Sequence, residues 1–477
     1  MAIELFQSQV PLITDQNFTG LTDPRVLHAL LKDYGTPDQL TYFKKVINYW
    51  NYYLGQQWPG QTDDTLVINL CSVIVDLYTH FLYGNPFYTV APDEKRELKN
   101  VVDVLWNKND EVVFGLELGQ MASATGGAWV RIGIGQDDLS NMSIPQADVQ
   151  HTGMVHGIWS GSNTKRLLRV SHYYVEYRET GILKKKYEPF LIQEIWTKDR
   201  VEIYHNQKRV HSAVNQFGEI PYEYIANIPL AASNMGLSDL HNIIPLQNKL
   251  NEKMAVLEDI IDYQAEPVTI VKGASIGTLE RGAGKIWGNL PVEAVVENLT
   301  LDTGAIEPIM DYIKLIRDFL WLISSVTNTT VGEVGGISNT PGSTMEMTFH
   351  PVIRRIQMKS HVQARGIRRV QRKMIRMLEM MTGETIAKDG DYDIPVKFEY
   401  GLPKDKLREI TIATQKITTG VLSRETYLEE SPDTDNAKEE LVKIFKEMAV
   451  ISEVKSANEP KKEVISDEKL KNKDAQR

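Results

Sequence analysis

A few residues have side chains suited to chemistry, and each would imply a different reaction. The stretch GTLERGAGKIWG contains Gly284 followed by Lys285, the end of a loop that could cradle a nucleotide phosphate. That chemistry needs Gly-x4-Gly-Lys-Ser/Thr, with the hydroxyl holding Mg²⁺. Leu279 stands where the first glycine belongs and Ile286 replaces the hydroxyl, so the motif fails twice. His151 and His156 are spaced wrongly for one helical face and have no acidic neighbour, which argues against a metal pair. Cys71 lies in an apolar run with no basic neighbour to favour its thiolate, so it reads as packing. No His-Glu-x-x-His or Gly-x-Ser-x-Gly is present. The reading is a protein without catalytic residues, metal or cofactor.

Two charged arrays remain. In EPIMDYIKLIRDFLWLISS, Glu307, Asp311, Lys314 and Asp318 fall at i, i+4, i+7 and i+11, one face of one helix, while Ile309, Ile313, Ile316, Leu320 and Ile323 lie mainly opposite. The stripe faces either bulk water or an enclosed path. The second array is Arg354, Arg355, Lys359, Arg365, Arg368, Arg369, Arg372, Lys373 and Arg376, a segment with no Asp or Glu. These residues spread over more than one helix face. They suit acidic surface on neighbouring subunits first, and nucleic acid second.

The chain has 477 residues and a formal net charge of −10, so what lies outside the basic segment is strongly acidic. That length allows two to four domains and a substantial core. No secretory signal is visible and no run of eighteen uncharged apolar residues occurs, so neither secretion nor a membrane partner is expected. One cysteine excludes an intramolecular disulfide framework and fits a reducing compartment.

The elements that must position these residues follow from periodicity and punctuation. Helices are expected over 24–58, 63–83 and 93–109, then a β-rich stretch from AWVRIGI to about 226 that reads as one meandering antiparallel sheet. Helix resumes at GLSDLHNIIPLQNKLN, with Ser238 as a possible cap and Pro245 as a bend or a second start. Residues 265–303 are short β-like runs broken by glycine, and the acidic-stripe helix spans 304–327. The glycine-rich 328–343 lacks periodicity. It is either a passive connector or a mobile, functional loop, with Thr329, Thr330, Ser338 and Asn339 as uncharged contacts and Gly332, Gly335, Gly336 and Gly342 as hinges. Ser343 and Glu346 form a capping box for a helix running to about Met381 with a bend at Pro351. A strand is expected within 391–400, two or three helices in 404–452, and a disordered tail from 453.

Five of these pieces, in order, resemble the portal (head–tail connector) proteins of tailed double-stranded DNA bacteriophages: NYYLGQQWP; INLCSVIVDLYTHFLYGNPF; GGAWVRIGI; EIPYEYIANIPLAASNMGLSDLHNIIPLQNKLN, with Gln247 where an acidic residue is common; and TTGVLSRETYLEESPDTDNAKEEL. The resemblance covers about residues 40–450. It implies an α+β, mainly helical fold assembled as a dodecameric ring at one capsid vertex. Its parts would be a wing over 1–235, stem helices at 236–264 and 304–327, a clip at 265–303, a tunnel loop at 328–343 that touches DNA, a long wing helix and strand at 344–402, and a crown at 403–452. The implied partners are double-stranded DNA, the terminase large subunit that supplies the energy, head-completion or neck proteins, and major capsid and scaffolding proteins. The implied location is the virion, with host cytoplasm during assembly.

Packing geometry is compatible with such a ring. Helix axes lie about 8–10 Å apart, so twelve side by side enclose a bore of roughly 28 Å, enough for duplex DNA of about 20 Å. An acidic wall suits a conduit, because each basic residue would instead take a phosphate and make the wall sticky. Alternatives are a neck adaptor that never handles DNA and a nucleic-acid enzyme with an unrecognised site.

Overall fold

The computed structural model describes residues 24–58, 61–62, 65–137, 142–161, 166–180, 186–231, 233–265, 268–272, 295–299, 306–332, 342–387, 390–400, 406–430 and 437–458. Its mixture of helix and sheet is the α+β fold expected. Two units are distinguished, residues 1–401 and 402–477.

Among the described residues, the first unit begins with α1 (Pro24–Tyr34) and α2 (Pro37–Tyr53). Thr36 starts α2 with a reciprocal cap: its hydroxyl accepts from the Gln39 amide while Gln39 Oε1 accepts from the Thr36 amide. Next comes α3 (Leu70–Tyr83), shorter at its start than the expected 63–83. The reason is local. Asn69 caps the helix through the Ser72 amide, and the amides of Ile68 and Leu70 are taken by the side chains of Asn251 and Gln247. Ile68 is thus bound to a distant element instead of continuing the helix. After β1 (Tyr88–Thr89) and a short 3₁₀ turn come α4 (Arg96–Lys108) and α5 (Glu111–Thr125). α5 sits close on α3 because Gly115 and Gly119 face the Tyr83 ring, where an added Cβ would lie 2.5 and 2.9 Å from ring carbons.

The β region is two sheets, not the single meander expected. β2 (Gly127–Gln136) is the centre of a three-stranded antiparallel sheet between β3 (Ser143–Gln150) and β9 (Tyr222–Ala226). The five-stranded sheet is a meander of β4 (Val155–Trp159), β5 (Leu167–Thr180), β6 (Lys186–Thr197), β7 (Arg200–His205) and β8 (Lys208–Val214). Trp129, Tyr222 and Tyr224 from the first sheet share a core with Val155, Val170, Trp196 and Val201 from the second. Such paired apolar faces are the usual way two sheets bury themselves.

α6 (Ile244–Ala265) and α7 (Ile306–Ser324) pack against each other, and between them β10 (Val268–Lys272) pairs antiparallel with β11 (Val295–Leu299). Ser238 does not cap α6. Its hydroxyl accepts from the Leu240 amide in a turn, and the helix starts six residues later with Pro245 in its first turn. α8 (Gly342–Thr382) is a 41-residue helix that contains Pro351 without being ended by it. Of the strand expected in 391–400, only β12 (Val396–Lys397) forms, paired with β1. The main core joins Cys71, Ile74, Val75 and Tyr78 of α3, Leu118 and Ala122 of α5, and Val352, Ile356, Ile367 and Val370 of α8. Here Cys71 is a packing residue, and burial pushes its thiol up to about 12.

The second unit holds α9 (Lys406–Thr418), α10 (Arg424–Glu430) and α11 (Ala437–Asn458). α11 continues six residues past the point where a disordered tail was expected to begin; residues 459–477 lie outside the described residues.

Candidate functional site

The two ends of the α6–α7 pair enter the body at one point. Gly236 and Gly126 meet there backbone to backbone: a Cβ on Gly236 would lie 2.1 Å from the Gly126 carbonyl oxygen, and Gly126 itself has φ +99°. Asn227 donates its amide to that same Gly126 carbonyl. The Gly126-Gly127 step into β2 and the Gly-Leu-Ser-Asp-Leu before α6 are therefore halves of one contact.

This contact presents Asp239, whose side chain is fully buried. Oδ2 accepts from Ser123 Oγ at 2.5 Å, from Asn227 Nδ2 at 2.9 Å and from Lys359 Nζ; Oδ1 accepts from Arg355 Nη2 at 2.8 Å and Nε at 3.2 Å. Burial alone would raise the carboxyl pKa, but Lys359 and Arg355 outweigh it and hold Asp239 down to about 2. Burial brings Lys359 down to about 8 against the pull of Asp239. The Tyr78 ring covers both cations, 4.2 Å from Lys359 Nζ and 5.5 Å from the Arg355 guanidinium carbon. The Tyr78 hydroxyl donates to the carbonyl of Ser324, the last residue of α7. One network thus ties the approach to α6, the end of α7, α3, α5 and α8. Sequence reading treated Arg355 and Lys359 as surface charge, and no local pattern links them to Asp239, 116 and 120 residues away.

α7 presents three faces. Ile316, Leu320, Trp321 and Ser324 are buried in the body. Glu307, Asp311, Lys314 and Asp318 are exposed along a second face, with Lys314 bonded to Asp311 at 3.1 Å. The third face was not foreseen: Tyr312, Leu315, Phe319 and Leu322 are large, apolar and exposed, Leu322 by 72%.

Of the loop after α7, residues 333–341 lie outside the described residues, and Gly335, Gly336, Ser338 and Asn339 with them. The Thr330 hydroxyl donates to the Thr327 carbonyl and accepts from the Thr327 amide, so it serves a turn; Thr329 is half-buried, and Gly332 closes the turn with φ +87°. Gly342 belongs to α8.

Neighbouring subunits were expected to supply acids to the basic run; within the chain itself, seven of its nine cations already meet carboxylates: Arg355 and Lys359 on Asp239, Arg368 on Asp393, Arg369 and Lys373 on Glu223, Arg372 and Arg376 on Glu219. Folding brings acids from outside the segment onto α8, which a local charge count cannot show. The run also resolves into two stripes. Arg355, Lys359 and Lys373 point inward, whereas Arg365, Arg368, Arg369, Arg372 and Arg376 line one groove. Arg354 and Arg365 are exposed.

Among the described residues no group of His, Cys, Asp or Glu is placed to hold a metal, and no helix is long and apolar enough to cross a membrane. Burial brings His151 down to about 4, and burial also lowers His156, with Arg169 lowering it further and Asp38 pulling the other way.

The site is thus a helical pair with one polar and one uncovered apolar face, rooted in a mixed body. Residues 33–453 match the family model described as phage portal protein, SPP1 Gp6-like, and the chain belongs to that family of ring-forming virion proteins. No curated protein matches the chain. Among solved structures it is similar to the neck of an empty GTA particle computed with C6 symmetry (11% identity, 86% of this chain and 94% of that chain, TM-score 0.45). It is also similar to the virion of a native gene transfer agent particle (11%, 84% and 94%, TM-score 0.43) and to the neck of a native GTA particle computed with C12 symmetry (12%, 86% and 94%, TM-score 0.40).

Proposed function

We propose that twelve copies of this chain form the ring at one capsid vertex through which double-stranded DNA is packaged and later ejected. In this reading α6 and α7 are the stem around the channel, β10 and β11 belong to the clip, 328–343 is the tunnel loop, α8 is the long wing helix, and α9–α11 make the crown. The terminase large subunit docks on the clip during packaging, and head-completion or neck proteins replace it. Capsid and scaffolding proteins surround the wing, in host cytoplasm during assembly and in the virion afterwards.

The three faces of α7 carry this reading. One face anchors the helix in its own protomer, and the exposed apolar face demands cover that a second copy supplies in a closed ring. The remaining face, with Glu307, Asp311, Lys314 and Asp318, then borders the bore. Repeated around the ring, it gives three negative rings and one positive ring, which repel and centre a polyanion while giving it few places to bind.

The test is Asp311→Lys combined with Asp318→Lys. Open-centred rings should still form in negative-stain images, while DNA packaged per capsid falls at least about tenfold, as new phosphate contacts make the wall adhesive. Packaging at the wild-type level would remove the stripe from the bore, and rings without an open centre would overturn the conduit itself. Leu315→Asp should instead leave single protomers.

A further inference from the structure

Away from the stem, α8 and the segment 390–396 enclose a groove of about 910 Å³ lined by His361, Arg365, Arg368, Arg369, Arg372 and Arg376 on one side and Asp391 and Asp393 on the other. We propose that this groove binds the sugar–phosphate backbone of double-stranded DNA on the outside of the channel.

Three observations carry the inference. First, five arginines within one helical stripe stand three or four residues apart, an arrangement that repels itself in an isolated helix. The carboxylates of Asp393, Glu223 and Glu219 offset part of that repulsion, but Glu219 serves two arginines and Glu223 serves both Arg369 and Lys373. Arg365 has no carboxylate partner among the described residues and is exposed. The groove keeps surplus positive charge.

Second, the carboxylates hold the guanidinium groups without covering them. Arg368, Arg369, Arg372 and Arg376 are paired, yet their side chains stay about a third to a half exposed. Each guanidinium has five N–H donors and a carboxylate takes only some of them, so the remainder point to a second acceptor. From Arg365 to Arg376 the stripe runs about 16 Å along the helix. That length faces about two or three successive phosphates of one strand.

Third, the lining lacks an apolar anchor. Ala364, Gly390, Tyr392 and Val396 complete the groove, and none is among the exposed large apolar side chains. Protein partners are gripped by aromatic or arginine side chains in desolvated pockets, whereas these arginines stay open to solvent, which suits a phosphate backbone that needs only donors. An acidic polypeptide fits the charge but not this surface.

The assembled ring offers a clean test, because covalently closed circular duplex DNA cannot thread a closed ring and reports outside contacts only. Its affinity should fall steeply with salt. Arg365→Gln should weaken binding about threefold to tenfold and lower the salt slope by about one. Arg372→Gln, which leaves Glu219 held by Arg376, should do the same. Lys314→Gln in the stem should leave circular-DNA binding unchanged. Unaltered binding by both arginine variants overturns the proposal, and so does an equal loss with Lys314→Gln. Polyglutamate competing better than DNA would assign the groove to a protein, and inorganic phosphate displacing DNA at matched ionic strength would reduce it to an ion site. Neither bears on the channel, which is read by packaging.

Discussion

The Tyr78 hydroxyl donates to the Ser324 carbonyl across 246 residues of sequence, and the same ring lies over Lys359. One buried side chain therefore touches the end of α7 and the cation that grips Asp239 at the approach to α6. Tyr78→Phe keeps the ring but leaves the Ser324 carbonyl without its donor. It should cost about 1–3 kcal/mol in denaturant titration, and rings should still form.

Asp239→Asn strands two buried cations without their counter-charge. Removing one partner of a buried pair costs about 3–5 kcal/mol, so the midpoint of urea unfolding should drop sharply. Adding Lys359→Met should restore much of the loss, since the second charge no longer needs solvating. If the double variant is as unstable as the single one, Asp239 matters through Ser123 and Asn227 instead.

Acidification separates two kinds of buried group. Burial brings His151 and His172 from 6.5 down to about 4, so between those values the unfolded chain binds protons that the folded chain does not. Stability should fall as pH drops from 7 to 5, by about 2 kcal/mol per histidine. Asp239 works in a lower window: its contribution is complete above about 4 and fades toward 2, so it takes no part in the pH 7 to 5 loss. His172→Gln, which leaves Tyr222 a hydrogen-bonding partner, should flatten part of the slope.

Gly236→Ala places a methyl group against the Gly126 carbonyl oxygen and the Asn227 amide, both main-chain atoms that cannot swing aside. The cost should be about 1–3 kcal/mol, read by thermal melting. Alanine at Gly133, where nothing lies within 4 Å, is the matched control and should be near neutral.

Local patterns carried much of the helix placement. The charged stripe of α7 was legible because its period is that of the helix itself. What escaped was settled by distant partners. β2 joins β9, about ninety residues on, and that pairing divides the strands into two sheets. Asp239 lies 116 and 120 residues from Arg355 and Lys359, so no spacing rule connects them. The basic run looked unpaired because its carboxylates sit at 219, 223 and 393, outside the segment. Periodicity also marked α7 as apolar without saying which apolar residues its own chain covers; Ile316 and Leu320 are covered, while Leu315 and Phe319 are not.

That uncovered face has a kinetic consequence. An unjoined copy carries an adhesive strip, and a partly built arc still displays one at its first end and the unfilled surface that would cover it at the other. Only closure hides the last two together, so intermediates are disfavoured relative to both free copies and finished circles. Populations should pass abruptly from one to the other as concentration rises, and copies caught between them are the ones prone to clump.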